Sequence, residues 1–269
     1  MLKNIFNNLN YLEYCEAHKI HELKDIELNI ENYGPISKKK IKKWETVDPS
    51  NKVPSPAELD DLIRIHYLIR LKKTRVVLEF GVGKSTSVIL DALKKNKDNF
   101  GKIVEQELRV TNPFQLHSVD NNIEWLERVK RIHDSNSNFN SYLCEINMGT
   151  FMDKFCTYYD SLPNVRPDFI YLDAPDQFSV KGEIRGFSTR FYDRMPMAAD
   201  LLAMEHFLEP GAIILVDGRT ANARFLKSNF QRSWDYHHFI DYDQHIFVLD
   251  EPPLGKWNEK TLNFVNDTF

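Results

Sequence analysis

At 269 residues, with 35 Lys and Arg against 39 Asp and Glu, the chain carries a formal net charge of -4. That length holds one large domain, or one domain with an appendage, and the acidic balance argues against a general nucleic-acid binder. The three cysteines, Cys15, Cys144 and Cys156, form no CxxC pair and are odd in number, which fits a reducing compartment better than a disulfide framework. The longest apolar runs are far too short for a bilayer, and the opening residues show no apolar core followed by a cleavage site. A cytoplasmic protein with no membrane partner is therefore expected.

In chain order, residues 11–30 are charged with a helical pattern. His18, His21 and Glu22 miss the HExxH zinc spacing and read as a solvated face. Tyr33-Gly34-Pro35 breaks the chain, and Lys38–Lys43 is a basic run that reads as solvated surface. The prolines from Pro49 to Pro56 read as a linker. Ser55, with Pro56 and Glu58, looks like a capping box for a helix over 56–71, whose Leu59, Leu62, Ile63, Tyr67 and Leu71 form a core-facing stripe. Residues 1–74 are thus expected to form a helical extension or lid, and residues 75–269 the main domain.

From Arg75 strands and helices alternate, which predicts a parallel sheet with crossovers. The predicted units are strand 75–80 and helix 87–95, an irregular insert at 97–112, strand 114–119 and helix 122–133. They continue with strand 141–146 and helix 152–160, strand 168–172 and helix 191–208, then strand 212–216 and helix 222–230. Two last strands, 236–241 and 245–249, are close enough for an antiparallel hairpin. His237, His238 and His245 on that hairpin read as core or surface histidines.

The stretch RVVLEFGVGKSTS, from Arg75 to Ser87, joins an apolar strand to a glycine turn and a helix start. Such a unit offers amide donors and a positive dipole end to a ligand at the tip of a parallel sheet. A phosphate-binding P-loop would need glycine where Leu78 stands, so its loop is too short here. A dinucleotide fingerprint would need glycine at Thr86. A third pattern is acid-x-Gly-x-Gly: Glu79, Gly81, Gly83. Acids also end four of the first five predicted strands: Glu79, Asp120, Asp173 and Asp217. Four carboxylates at one edge repel one another and lose solvation, so a ligand site at the strand ends explains them better than stability does.

These parts resemble the class I S-adenosylmethionine-dependent methyltransferases over most of residues 75–249. Glu79, Gly81 and Gly83 are similar to that family's motif I, and HSVDNN with Asp120 to its acid that binds the ribose hydroxyls. CEINMG is similar to the segment bordering the adenine, YLDAPD to the one facing methyl and acceptor, and PGAIILVDG to the fifth-strand segment. The resemblance implies an α/β, Rossmann-like, seven-stranded mostly parallel sheet in the order 3-2-1-4-5-7-6, with helices on both faces and an antiparallel C-terminal hairpin.

It also implies an enzyme that uses S-adenosyl-L-methionine to methylate oxygen or nitrogen on a small-molecule acceptor. Cofactor contacts are implied for Glu79, Gly81, Gly83, Ser85, Asp120, Asn121, Asn147, Met148 and Asp173, with Asp173 also the base or acceptor-orienting group. Acceptor contacts are expected from Asp176, Arg185, Arg190, Asp217 and Arg219, the arginines suiting an anionic or sugar-type acceptor. No resident metal is favoured. Asp173 and Asp217 are the oxygen ligands a hard cation would use, but Gly218 stands where metal-dependent relatives place Asn. No nucleic-acid partner is expected, and a homodimer is left open. The alternatives are a non-catalytic cofactor-binding module and, disfavoured by Thr86, a nicotinamide-dependent oxidoreductase. The step from Gly83 to Asp120 is nearly twice the usual ~20 residues, hence the expected insert.

Overall fold

The computed structural model describes residues 2–23 and 58–266. The break at Tyr33-Gly34-Pro35, the basic run, the proline linker and Ser55 lie outside the described residues. Seven strands form the main sheet: β1 (Val76–Phe80), β2 (Gln115–Asp120), β3 (Phe139–Leu143), β6 (Phe169–Leu172), β7 (Ile213–Asp217), β8 (Trp234–Phe239) and β9 (Gln244–Leu249). Between β3 and β6 a separate hairpin forms from β4 (Ile146–Phe151) and β5 (Lys154–Tyr159).

The sheet order is β3-β2-β1-β6-β7-β9-β8. β9 alone runs opposite to the other six strands, so it pairs antiparallel with both β7 and β8, while β1, β2, β3, β6 and β7 pair in parallel. Numbered within the sheet, that is the 3-2-1-4-5-7-6 order implied above, and the fold is α/β and Rossmann-like.

The central strands are buried on both faces, as their apolar runs require. One face sets Val77, Tyr171 and Leu215 against α2 (Leu59–Leu71) and α3 (Lys84–Glu107), with Leu2, Phe6 and Leu9 of the N-terminal segment in the same core. The other sets Leu78, Phe80, Ile170, Leu172, Ile214 and Val216 against the β4–β5 hairpin, α5 (Asp200–Met204) and α6 (Thr220–Asn229). Two further helices complete the architecture, α1 (Tyr11–His18) and α4 (Ile123–His133). His66 pins the N-terminal layer together: Tyr14 Oη lies 2.9 Å from its Nδ1, and Asp91 Oδ2 lies 2.9 Å from its Nε2. The C-terminal helix α7 (Lys256–Asn266), not anticipated from the sequence, packs Phe264 against Val104 and Phe114.

Four elements differ from expectation. Residues 97–107 continue α3 rather than forming an irregular insert, because Phe100, Ile103 and Val104 recur at helical spacing and meet Phe114 and Phe264. Residues 154–159 are a strand instead of a helix: KFCTYY is rich in β-formers, and Met152 and Asp153, both at positive φ, make a two-residue turn back from β4. The expected long helix over 191–208 shrinks to α5 and a 3₁₀ turn at Glu205–Phe207, since Pro196 cannot continue a helix. Near the N-terminus, Lys19 in the left-handed region ends α1 eight residues after it begins. Among the described residues no helix is long and apolar enough to cross a membrane.

Candidate active site

Register places the strand-tip residues in one row. Phe80 pairs with Val119 and with Leu172, and Leu172 pairs with Val216. The next residues out are therefore Asp120, Gly81, Asp173 and Asp217, side by side across β2, β1, β6 and β7. Bonds from Gly81 N to Val119 O (2.9 Å) and from Asp173 N to Phe80 O (3.1 Å) carry the ladder into that row. Equivalent positions in parallel strands point to one face, so the three aspartates share the face covered by α2 and α3.

Gly81 is required by the backbone. Its φ is +95°, and a Cβ there would lie 3.1 Å from Ala174 Cβ and 3.3 Å from Asp173 O. Gly83 is different. Its φ of 177° is open to any residue, and a Cβ would meet nothing within 4 Å. Gly83 is the N-cap of α3, and its amide donates to Thr86 Oγ1 at 3.1 Å.

Glu79 lies two residues below the row and is completely enclosed. Ser85 Oγ (2.6 Å), Thr86 Oγ1 (2.9 Å) and Ser118 Oγ (2.6 Å) all donate to its carboxylate. Burial pushes that carboxyl up to about 7 despite the three bonds. Glu79 and Ser85 therefore brace the turn from beneath. Asp120 accepts from Val82 N (2.8 Å) on Oδ2 and from Asn122 N (2.7 Å) on Oδ1, while the Asn121 amide also faces it. Burial raises its pKa above the usual carboxylate range.

At the other end of the row, Arg219 grips the β6 tip. Nη1 donates to Pro175 O (2.6 Å), Nη2 to Asp173 O (2.8 Å), and Nε stands 3.5 Å from Asp173 Oδ1. Desolvation, with the neighbouring carboxylates, pushes the Asp173 carboxyl up and Arg219 pulls it down. With 54% of the side chain open to solvent, screening weakens both effects. Asp217 accepts from Tyr171 Oη (2.7 Å), and desolvation with the neighbouring Asp173 charge raises it to about 7.

The first turn of α2 closes this end, which the core stripe read from the sequence did not reveal. Arg64, fully buried, donates to Asp60 Oδ2 (3.2 Å), to Asp61, and through Nε to Gln244 Oε1 (2.8 Å). Gln244 pairs with Asp217, so a buried Asp–Arg group backs the acceptor end of the row. The signal available was an Asp-Asp pair followed at helical spacing by Arg inside an apolar helix.

The remaining residues named from the sequence lie outside this row. Asn147 and Met148 belong to β4 rather than to the tip of β3, where Leu143 and Cys144 stand instead. Asp176 is exposed and caps a turn, accepting from Phe178 N (2.8 Å) and Ser179 N (3.1 Å). Arg185 lies in a tight turn at φ +53° and Arg190 bonds Ser188 Oγ at 3.2 Å; both are exposed. Among the described residues, one group of three side chains brings metal-ligand atoms within 4.8 Å of one another: His238, Asp243 and His245. Its rings stack at 3.9 Å, and both His245 nitrogens are engaged, by Tyr236 Oη and Thr220 Oγ1.

No protein-family model and no curated protein matches the sequence significantly. Solved structures of similar fold include an SAH-bound methyltransferase of Podospora anserina (12% identity, 82% of this chain and 92% of that one, TM-score 0.43). Others are a methyltransferase of Geobacter sulfurreducens (11%, 82% and 95%, TM-score 0.45) and the O-methyltransferase TomG of Streptomyces achromogenes with SAM (12%, 90% and 89%, TM-score 0.42). Likenesses this distant carry nothing about chemistry.

Proposed function

We propose that this chain is an S-adenosylmethionine-dependent methyltransferase acting on a small-molecule acceptor. The observation that supports the reading is the row Asp120–Gly81–Asp173–Asp217 at the tips of a sheet ordered 3-2-1-4-5-7-6. Ligands of open α/β sheets bind beyond the strand carboxyl ends. The residues fit the cofactor. Each Asp120 oxygen spends one acceptor site on a backbone amide and retains another for the two hydroxyls of a ribose. Glycine at 83 answers no need of backbone or packing, as expected where a ligand passes close to the chain.

S-Adenosylmethionine, when bound, supplies an activated methyl and its own leaving group. The chain's work is then to orient and to manage one proton. Asp173 is the group that accepts the acceptor's proton or fixes its lone pair, held in place by Arg219 through its carbonyl and carboxylate. Asp217, raised toward neutrality, is a second proton-holding group beside it. Arg219 is committed to residues 173–175, so recognition of an anionic or sugar-type acceptor falls to the exposed Arg185 and Arg190.

Calorimetry with S-adenosylhomocysteine, followed by labelled methyl transfer to cell extract, tests this reading. The expected result is micromolar binding that Asp120→Ala weakens at least ten-fold, and transfer that Asp173→Asn abolishes while binding persists. No binding by the native chain overturns it; binding without transfer points to a cofactor-binding module.

A further inference from the structure

The hairpin stands where a crossover helix was expected, and its second strand ends against the residue just before the glycine turn. Tyr159, the last residue of β5, is 6% exposed, and its ring lies 5.4 Å from that of Phe80, the residue just before Gly81. Its backbone amide donates to Asp200 Oδ1 at 3.1 Å. Its hydroxyl has no hydrogen-bond partner among the described residues. The charged groups that this hydroxyl senses are Asp120 at the β2 tip, Arg219 beyond the β7 tip, and Asp200. A buried hydroxyl without a partner costs stability, so native chains rarely keep one that nothing uses.

We infer that Tyr159 is a ligand contact of the strand-tip site, its hydroxyl donating a hydrogen bond to an acceptor atom of the bound S-adenosyl nucleoside. The inference rests on the methyltransferase reading and extends it to a residue outside the family motifs. Phe80 fixes the ring on the hairpin face just beneath the glycine turn, and Asp120, at the strand tips on the opposite face, is near enough for its charge to reach the phenol, so the hydroxyl serves the cofactor half of the row. Burial and the neighbouring carboxylates hold the phenol well above its usual pKa, so it acts as a donor throughout the neutral range.

The test is titration calorimetry on the full chain and on Tyr159→Phe, with S-adenosylhomocysteine and with 5′-methylthioadenosine, which lacks the amino-acid arm. Phenylalanine keeps the ring contact and removes only the hydroxyl. Expected is about ten-fold weaker binding of S-adenosylhomocysteine by the variant, with an unchanged or higher Tm for the free protein. A loss shared by both ligands places the contact on the nucleoside and supports the inference, whereas a loss confined to S-adenosylhomocysteine places it on the amino-acid arm and overturns the assignment to the nucleoside. Equal affinities in the two proteins overturn it. So does a free variant destabilised by several degrees, because the hydroxyl would then have a partner inside the fold. Failure of the native chain to bind either ligand removes the methyltransferase reading itself, and this inference with it.

Discussion

Glu79 is a carboxylate placed where water cannot reach it, with three hydroxyls as its whole solvation. In the unfolded chain it titrates near the ordinary value of 4.5, and in the folded chain at about 7. Between those values the native state binds more protons than the unfolded one, so this group's contribution to stability falls as pH rises and is fully lost above about 7. The size is on the order of 3 kcal/mol. Glu79→Gln removes the titration while the serine and threonine hydroxyls rotate to satisfy an amide. The stability of the variant relative to the native chain is expected to climb from pH 4.5 to 7 and stay level above. Urea unfolding at a series of pH values checks this, and parallel curves for the two proteins would refute it.

At the scale of elements, the β4–β5 hairpin has the sharpest local test. Its two-residue turn holds Met152 at φ +46° and Asp153 at φ +62°, the backbone of a type I′ turn, which favours Asn-Gly. Left-handed backbone at non-glycine residues costs about 1 kcal/mol each. Met152→Asn with Asp153→Gly is expected to stabilise the chain by about 1 kcal/mol, a Tm gain of ~2–4 °C, without moving ligand affinity. A lower Tm would mean that Met152, though largely exposed, is held by something else. The same hairpin shows what the sequence concealed. The central strands β1, β6 and β7 were legible because each is a short apolar run closed by an acid or glycine, and β2, β3 and β8, with polar residues interspersed, because they fall between turn signals at βα or hairpin spacing. The row of aspartates was legible because acids at strand ends recur at βα spacing. A nine-residue window such as 152–160, with mixed aromatics and no glycine or proline, satisfies helix and strand templates alike, and only a sheet face in need of cover decides between them. The α2 contribution, Asp61 and Arg64, was hidden for a related reason. A buried charged pair inside an apolar stripe looks like an interruption until Gln244, 180 residues away, is seen to accept from the arginine.

For the whole molecule, the buried acids raised toward neutrality and the lowered histidines form two opposed sets. Glu79, Asp200 and Asp217 are all raised to about 7, chiefly by burial. His18 and His245 are lowered to about 4 and about 3, also by burial, and His66 and His117 move the same way. The histidines bind protons in the unfolded state but not the folded one up to about 6.5, so they make stability rise with pH and stop contributing there. The acids act in reverse, from about 4 up to about 7. Below pH 6.5 the two sets offset each other; above it only the acids remain. Stability of the free chain is therefore expected to fall between about pH 6.5 and 7.5, and Glu79→Gln combined with Asp200→Asn should flatten that fall, since an asparagine oxygen can still accept the Tyr159 amide. Calorimetric Tm across pH 5 to 8.5 reads it directly, and a native Tm that climbs through neutrality would refute the assignment. Ligand binding at the tips adds stability by mass action, about 2.7 kcal/mol at a hundred-fold excess over Kd, so saturating S-adenosylhomocysteine should lift Tm across the whole range while the fall persists.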